Sequence, residues 1–165
     1  MEIRKRKLLV GSRFLSFMIE NEAYCLEILK VKELMGMSEV TPIPQTPEYI
    51  KGVINLRGQI IPIIDLRLKF GMVFKEYNKR TSIIVVEVDY EGEISYMGVV
   101  VDSIREVISI PEENISKASY INSKIKSDFI KGIANTPDGI VIVLDVVKIL
   151  SDDDLAFIKT VEKTA

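Results

Sequence analysis

Apolar and polar positions alternate over short distances along the chain, in the pattern of brief strands joined by turns. Phe14-Leu15-Ser16-Phe17-Met18-Ile19 is apolar and β-prone. Asn21-Glu22 marks a turn, and Ala23-Tyr24-Cys25-Leu26 continues as a second strand. Ile28, Leu29, Val31 and Leu34 fit a short helical turn leading into a strand, but periodicity leaves the choice open. Pro42, Pro44 and Pro47 bound a loop. Thr46 suits an N-cap, Pro47 the first helical position and Gly52 a terminator, which predicts a single helical turn over 47–51. Residues 53–56 then read as a strand, Arg57-Gly58 as a hairpin turn and 59–66 as the return strand.

The second half repeats this plan. Residues 82–88 and 94–101 are strands around the turn Tyr90-Glu91-Gly92-Glu93. Ile104-Arg105-Glu106-Val107 echoes Val31-Lys32-Glu33-Leu34. Ser127 is expected to cap a turn over 128–131 that Gly132 ends, Pro137-Asp138-Gly139 is a hairpin turn, and 140–147 closes the unit. Aligning 48–70 with 128–150 makes the repeat explicit. Six of 23 positions are identical: Ile50/Ile130, Lys51/Lys131, Gly52/Gly132, Asn55/Asn135, Ile60/Ile140 and Asp65/Asp145. Two similar folding units are implied, of about 13–75 and 81–150, each a small β-barrel, with a cleft between them. Ser151-Asp152-Asp153-Asp154 is a capping box. It opens a C-terminal helix over 151–163, with Leu155, Ile158 and Val161 on one face.

Composition narrows the function. With 165 residues, 47% apolar and 28% charged, the chain suits one ordinary domain or two small units sharing a core. A net charge of −2 argues against nucleic-acid binding, apart from the run Arg4-Lys5-Arg6-Lys7, which reads as a solvated arm. The absence of histidine removes the commonest general base and metal ligand. There is no Gly-rich phosphate loop, and Asp65 and Asp145 sit in apolar strands without a second acid at useful spacing. No catalytic residue, cofactor or metal ligand is therefore expected, and the chain reads as a non-enzyme. Asp65 and Asp145 recur together, which suggests a structural role in accepting backbone N–H bonds. Cys25, the single cysteine, reads as a small buried residue. No apolar stretch is long enough to span a membrane and no signal peptide is evident, so a cytoplasmic protein is expected.

The segment from Ile43 to Arg67, with its core Asn55-Leu56-Arg57-Gly58-Gln59-Ile60-Ile61-Pro62-Ile63-Ile64-Asp65-Leu66, resembles the signature of the bacterial chemotaxis coupling family CheW. The resemblance runs from about Arg13 to Leu155 and includes Gly98-Val99-Val100-Val101-Asp102. It implies a mainly β fold of two SH3-like, five-stranded barrels sharing an apolar core, with short helical turns and a C-terminal helix, as one domain over 13–155. It implies a scaffold of two-component signal transduction that links the cytoplasmic tips of chemoreceptors (methyl-accepting chemotaxis proteins) to the regulatory domain of the histidine kinase CheA. Receptor tips would enter the groove between the barrels.

Position by position, the resemblance nominates Val31, Glu33, Gly52, Arg57 and Val107 for receptor or kinase binding. Val31 and Val107 are expected to be apolar groove contacts, with core packing as the alternative. Gly52 is either a helix terminator or a point of close approach. Arg57 is either simply exposed in its turn or a charged fork reaching Glu33 or a partner carboxylate. Ile43, in a Pro-flanked loop, is either part of the kinase-binding face or folded down on the barrel end. Two other classes remain as alternatives: an SH3-like or OB-like barrel binding nucleic acid, and an enzyme using the inter-barrel cleft.

Overall fold

Residues 13–117 and 127–164 are described by the structure, a computed structural model; the basic run at 4–7 lies outside them. Chain order begins β1 (Arg13–Ile19), β2 (Glu22–Glu27), a 3-10 turn (Ile28–Lys30), β3 (Val31–Gly36), β4 (Ile50–Leu56), β5 (Gln59–Asp65) and α1 (Leu66–Lys69). It continues with β6 (Ser82–Tyr90), β7 (Glu93–Val101), β8 (Ser103–Ser109), a 3-10 turn (Glu112–Asn114) and β9 (Ile115–Lys117). A 3-10 turn (Ser127–Phe129), β10 (Ile130–Thr136), β11 (Gly139–Leu144), α2 (Val146–Ile149) and α3 (Asp152–Thr164) complete it. The hairpin turns form where the sequence marks them. Arg57 (φ 53°) and Gly58 (φ 84°) join β4 to β5, and Glu91 (φ 53°) and Gly92 (φ 80°) join β6 to β7. Positive φ at both central residues gives the turn twist that matches flanking strands.

The fold is mainly β, in two sheets. One has six strands in the order β8-β1-β2-β11-β10-β9, the other five in the order β3-β6-β7-β5-β4. Each contains a single parallel pairing, β11 with β2 and β5 with β7. The two sheets therefore share one plan. They do not divide the chain at 75–81, however, as two contiguous units would. The five-stranded sheet is built from 31–65 and 82–101, while β1 and β2 must wait for β8, β10 and β11 to complete theirs. Strands consecutive in sequence usually become neighbours; here β3 leaves β2 for β6, and β8 leaves β7 for β1.

Period-two alternation sends the faces of a strand into different cores. Phe14 and Cys25 join Ala134, Val141 and Val143 in a cluster belonging to the six-stranded sheet. Ile61, Ile63, Ile83, Val85 and Val100 form the corresponding cluster of the five-stranded sheet. The opposite faces, with Leu15, Phe17 and Tyr24 from one sheet and Ile64, Ile84, Val86 and Val99 from the other, meet in a larger shared core. This fits two small barrels with an apolar core between them. Each such aliphatic side chain stabilises the fold by about 1.5–3 kcal/mol on burial. Cys25 is fully buried, and burial pushes its thiol up to about 12.

The repeat is visible in backbone detail, and the helical turns predicted at 47–51 and 128–131 are cut short: a hydrogen-bonded turn closes at Ile50, and a 3-10 turn spans Ser127–Phe129 before β10 begins. Ile50 donates its N–H to the Pro47 carbonyl in one turn, and β4 begins at once. The Thr46 hydroxyl donates to the Ile43 carbonyl instead of capping a helix. Gly52 terminates nothing. It stands at a bulge in β4 with φ 137°, and a Cβ there would lie 2.0 Å from the Thr41 carbonyl oxygen. Gly132 stands at the matching bulge in β10, where a Cβ would lie 2.6 Å from the Ser116 carbonyl oxygen. Both glycines admit a neighbouring backbone across the strand. Asp65 and Asp145 are N-caps of the four-residue helices α1 and α2. Asp65 Oδ1 accepts from the N–H of Arg67 (2.9 Å), and Asp145 Oδ1 from that of Val147 (3.1 Å). The expected structural role of these carboxylates is thus seen. The capping box also forms: Asp154 N–H donates to Ser151 Oγ (3.1 Å) and Ser151 N–H to Asp154 Oδ2 (3.0 Å). Leu155, Ile158 and Val161 are buried where α3 packs on β5 and β7.

Candidate protein-binding surfaces

The edge strands β3 and β8 are equivalents in the two sheets, and both carry a bulge at the same place. In β8 the register slips between Leu15 and Phe17 of its partner, so Arg105 and Glu106 both oppose Ser16. The Ser16 hydroxyl donates to the Glu106 carbonyl (2.9 Å) and accepts its N–H (3.2 Å), satisfying the displaced backbone. A bulge re-aims side chains, and Arg105, Glu106 and Val107 are consecutively exposed. In β3 the slip falls between Val31 and Glu33. Superposing the echoed segments pairs Val31 with Ile104 and Leu34 with Val107. The exposures agree: Leu34 and Val107 are each 44% exposed, whereas Val31 and Ile104 are half-buried against the shared core.

Glu33 and Arg57 are brought together. Arg57 Nη1 donates to Glu33 Oε2 at 3.0 Å and Nη2 to Oε1 at 2.5 Å, a fork that spans the opposite edges β3 and β4 of the five-stranded sheet. The Arg57 side chain is 75% exposed, so it presents further N–H donors to solvent. Ile43 is half-buried in the loop before β4, its carbonyl fixed by Thr46. Gly52 is buried beneath Thr41 and Pro42. Val31 and Val107 lie on edge strands of different sheets, and no ladder joins those strands. Val31 faces Val86 across the ladder and is chiefly a packing residue.

An open groove of about 710 Å³ runs between the sheets. Met18 of β1 and Ser103, Ile104 and Arg105 of β8 form one wall. Lys79, Arg80 and Ser82, where the chain enters β6, form the other.

A buried ion pair holds the junction beside it, and the sequence reading missed it. Arg67, only 11% exposed, donates through Nε to Asp102 Oδ1 (2.9 Å) and through Nη2 to Asp102 Oδ2 (2.8 Å). Its Nη1 reaches Glu20 Oε1 at 3.2 Å and the Val73 carbonyl at 3.4 Å. Asp102 is the single residue between β7 and β8, where the chain changes sheets. Burial alone would raise the Asp102 carboxyl, but the Arg67 bonds, the Glu20 N–H and the charges of Arg67 and Lys75 hold it below the usual carboxylate range. The same contacts, chiefly the Asp102 hydrogen bonds, raise Arg67. The signal was present in the repeat: Asp65-Leu66-Arg67 answers to Asp145-Val146-Val147, and Val147 is exposed where Arg67 is buried. A second cluster centres on Asp154, 2% exposed, which accepts from Tyr49 Oη (2.6 Å) and Lys69 Nζ (2.7 Å). Burial would raise this carboxyl too, yet Lys69, Tyr49 and the Ser151 N–H hold it below the usual range.

Known proteins agree with this architecture. A CheW-like domain is matched over residues 13–154. The chain is 37% identical over 155 residues to the chemotaxis protein CheW of Klebsiella aerogenes, covering 94% of this chain and 91% of that protein. It is 35% identical over 141 residues to CheW of Helicobacter pylori, covering 86% and 82% respectively. The crystal structure of the scaffolding protein TtCheW from Thermoanaerobacter tengcongensis matches with a TM-score of 0.78 and 35% identity, covering 87% of this chain and 95% of that one. None of these relatives supports the nucleic-acid alternative. On sequence and fold together, the chain belongs to the CheW-like family.

Proposed function

We propose that this protein is a non-enzymatic adaptor of bacterial chemotaxis, joining chemoreceptor cytoplasmic tips to the regulatory domain of the histidine kinase CheA. It would work in the cytoplasm, recruited to receptor arrays. The observation that carries the reading is the pair of bulged edge strands on different sheets. A coupling protein needs two faces that do not overlap, and β3 and β8, as edges of different sheets, are suited to the two roles. The receptor tip, a helical hairpin, is assigned to the inter-sheet groove and the adjoining β8, with Ile104 and Val107 as apolar contacts. The kinase domain is assigned to the other edge, with Arg57, Glu33, Leu34 and Ile43 around it. Val31 and Gly52 serve these faces indirectly, by packing β3 and by letting the chain at Thr41 approach β4.

Two single variants test the assignment. Val107→Asp places a charge at an exposed apolar site, so it should fold normally and lose the receptor-tip fragment while retaining the CheA regulatory domain. Arg57→Ala should do the reverse. Size-exclusion co-elution with each partner reads both. Loss of both partners from either folded variant, or of neither, contradicts two separate faces.

A further inference from the structure

We infer that the inter-sheet groove selects a helical segment carrying acidic side chains beside an apolar stripe, and that Lys79, Arg80 and Arg105 do the selecting. The groove's lining holds three cations and no acid, in a chain whose net charge is −2. Positive charge is thus concentrated where the protein as a whole is slightly negative. Among the described residues none of the three forms an ion pair; Arg105 has only a 3.9 Å approach to the Met18 sulfur. Elsewhere Arg57 holds Glu33, Lys131 holds Glu27 and the half-buried Lys159 lies 3.3 Å from Glu93. Exposed cations without an ion pair among the described residues, such as Lys75 and Lys148, lie outside the groove's lining, where three such cations gather. Asp102, next in sequence to Ser103 of the lining, is committed to Arg67 and to the Glu20 N–H, and the exposed Glu106 beside Arg105 is not part of the lining. Met18 and Ile104 supply apolar surface in the same lining. A segment with carboxylates flanking an apolar ridge complements this in both charge and polarity. Exposed charges of this kind act mainly on encounter: they raise the association rate and make it depend on salt.

The inference rests on the groove being the receptor face, and its test separates the two ideas. The probe is a chemoreceptor cytoplasmic-tip fragment, used as it is and with its Asp and Glu replaced by Asn and Gln. Association and dissociation rates are measured from about 50 mM to about 500 mM salt, a range that shortens the screening length several-fold. They are measured for the wild-type protein and for the triple variant Lys79→Gln, Arg80→Gln, Arg105→Gln. All three side chains belong to exposed residues, so the variant should fold. The expected result is an association rate about tenfold slower in the triple variant, with its salt dependence largely gone and dissociation little changed. The neutralised fragment should show the same loss with the wild-type protein. Binding of the acidic fragment at an unchanged, salt-insensitive rate would overturn the charge selection while leaving the receptor face in place. Failure of the fragment to bind the wild-type protein at any salt would overturn both. Capture of a single-stranded RNA oligonucleotide in preference to the fragment would overturn it in favour of a polyanion site.

Discussion

At the residue scale, the glycine and aspartate that recur in both copies of the repeat prove structural, and Arg57 and Arg67, which do not recur, form ion pairs of their own. Gly52 and Gly132 admit a crossing backbone, and Asp65 and Asp145 cap a helix. Gly52→Ala should be costly, because backbone rather than a flexible side chain would have to move. A loss of about 2–4 kcal/mol is expected in urea denaturation. Arg57, matched by Pro137 in the second copy, is free of such duties. Its replacement by Ala removes an exposed ion pair and should change stability by less than about 0.5–1 kcal/mol. Both residues have positive-φ neighbours or positions, yet only Gly52 has no space for a Cβ, which explains why the two substitutions should differ so widely. The buried carboxylates add a pH dependence. Asp102 and Asp154 are held below the ordinary range in the fold, so the unfolded chain takes up protons first as pH falls. The stability they contribute is complete above the ordinary carboxylate value of about 4 and is lost as pH drops through their folded values. Urea midpoints measured between about pH 6 and about pH 2 should fall at the acid end. Asp102→Asn should flatten part of that slope, and a midpoint independent of pH in the wild type would contradict the buried pairs.

At the scale of elements, most of the structure was legible. Hairpins around Arg57-Gly58 and Glu91-Gly92 followed from turn chemistry, and α3 followed from its capping box and its apolar face. The helical turns expected before Gly52 and Gly132 are cut short, at Ile50 and Phe129, for a nameable reason. Thr46, Pro47 and Gly52 satisfy the local signals for a helix, but Ile50 is claimed by pairing with Ile64, and that ladder outweighs a single turn with one hydrogen bond. The α3 junction gives an element-level prediction. Asp154 anchors the helix to Tyr49 and to Lys69, itself only 10% exposed. Asp154→Ala leaves that ammonium without its partner and removes the cap, so a loss of about 3 kcal/mol or more is expected in thermal or urea unfolding. A change within about 0.5 kcal/mol would mean that α3 is held by its apolar face alone.

At the scale of the whole molecule, the sequence repeat was informative about kind and misleading about boundaries. It reported the β4–β5 and β10–β11 hairpins, which are local, and so suggested two contiguous units. Which edge strand closes which sheet is a non-local choice, and it sends β3 and β8 across to the other half of the chain. The exchange leaves two equivalent bulged edges on different sheets, with a cationic groove between the sheets and a fork of Arg57 and Glu33 joining β3 to the β4–β5 turn of the five-stranded sheet. Arg57 and Val107, which the family resemblance nominates, are exposed in the fold. Leu34 and Ile104, which the echoed segments contain, enter the proposed faces only once the exposures of β3 and β8 are seen. The central claim is that these faces act at the same time. The most direct measurement is size-exclusion chromatography with light scattering on a mixture of this protein, a CheA regulatory domain and a receptor-tip fragment at moderate salt. The account predicts one complex containing all three, with a mass equal to the sum of its parts. Displacement of one partner by the other, or failure of this protein to join either, would contradict it.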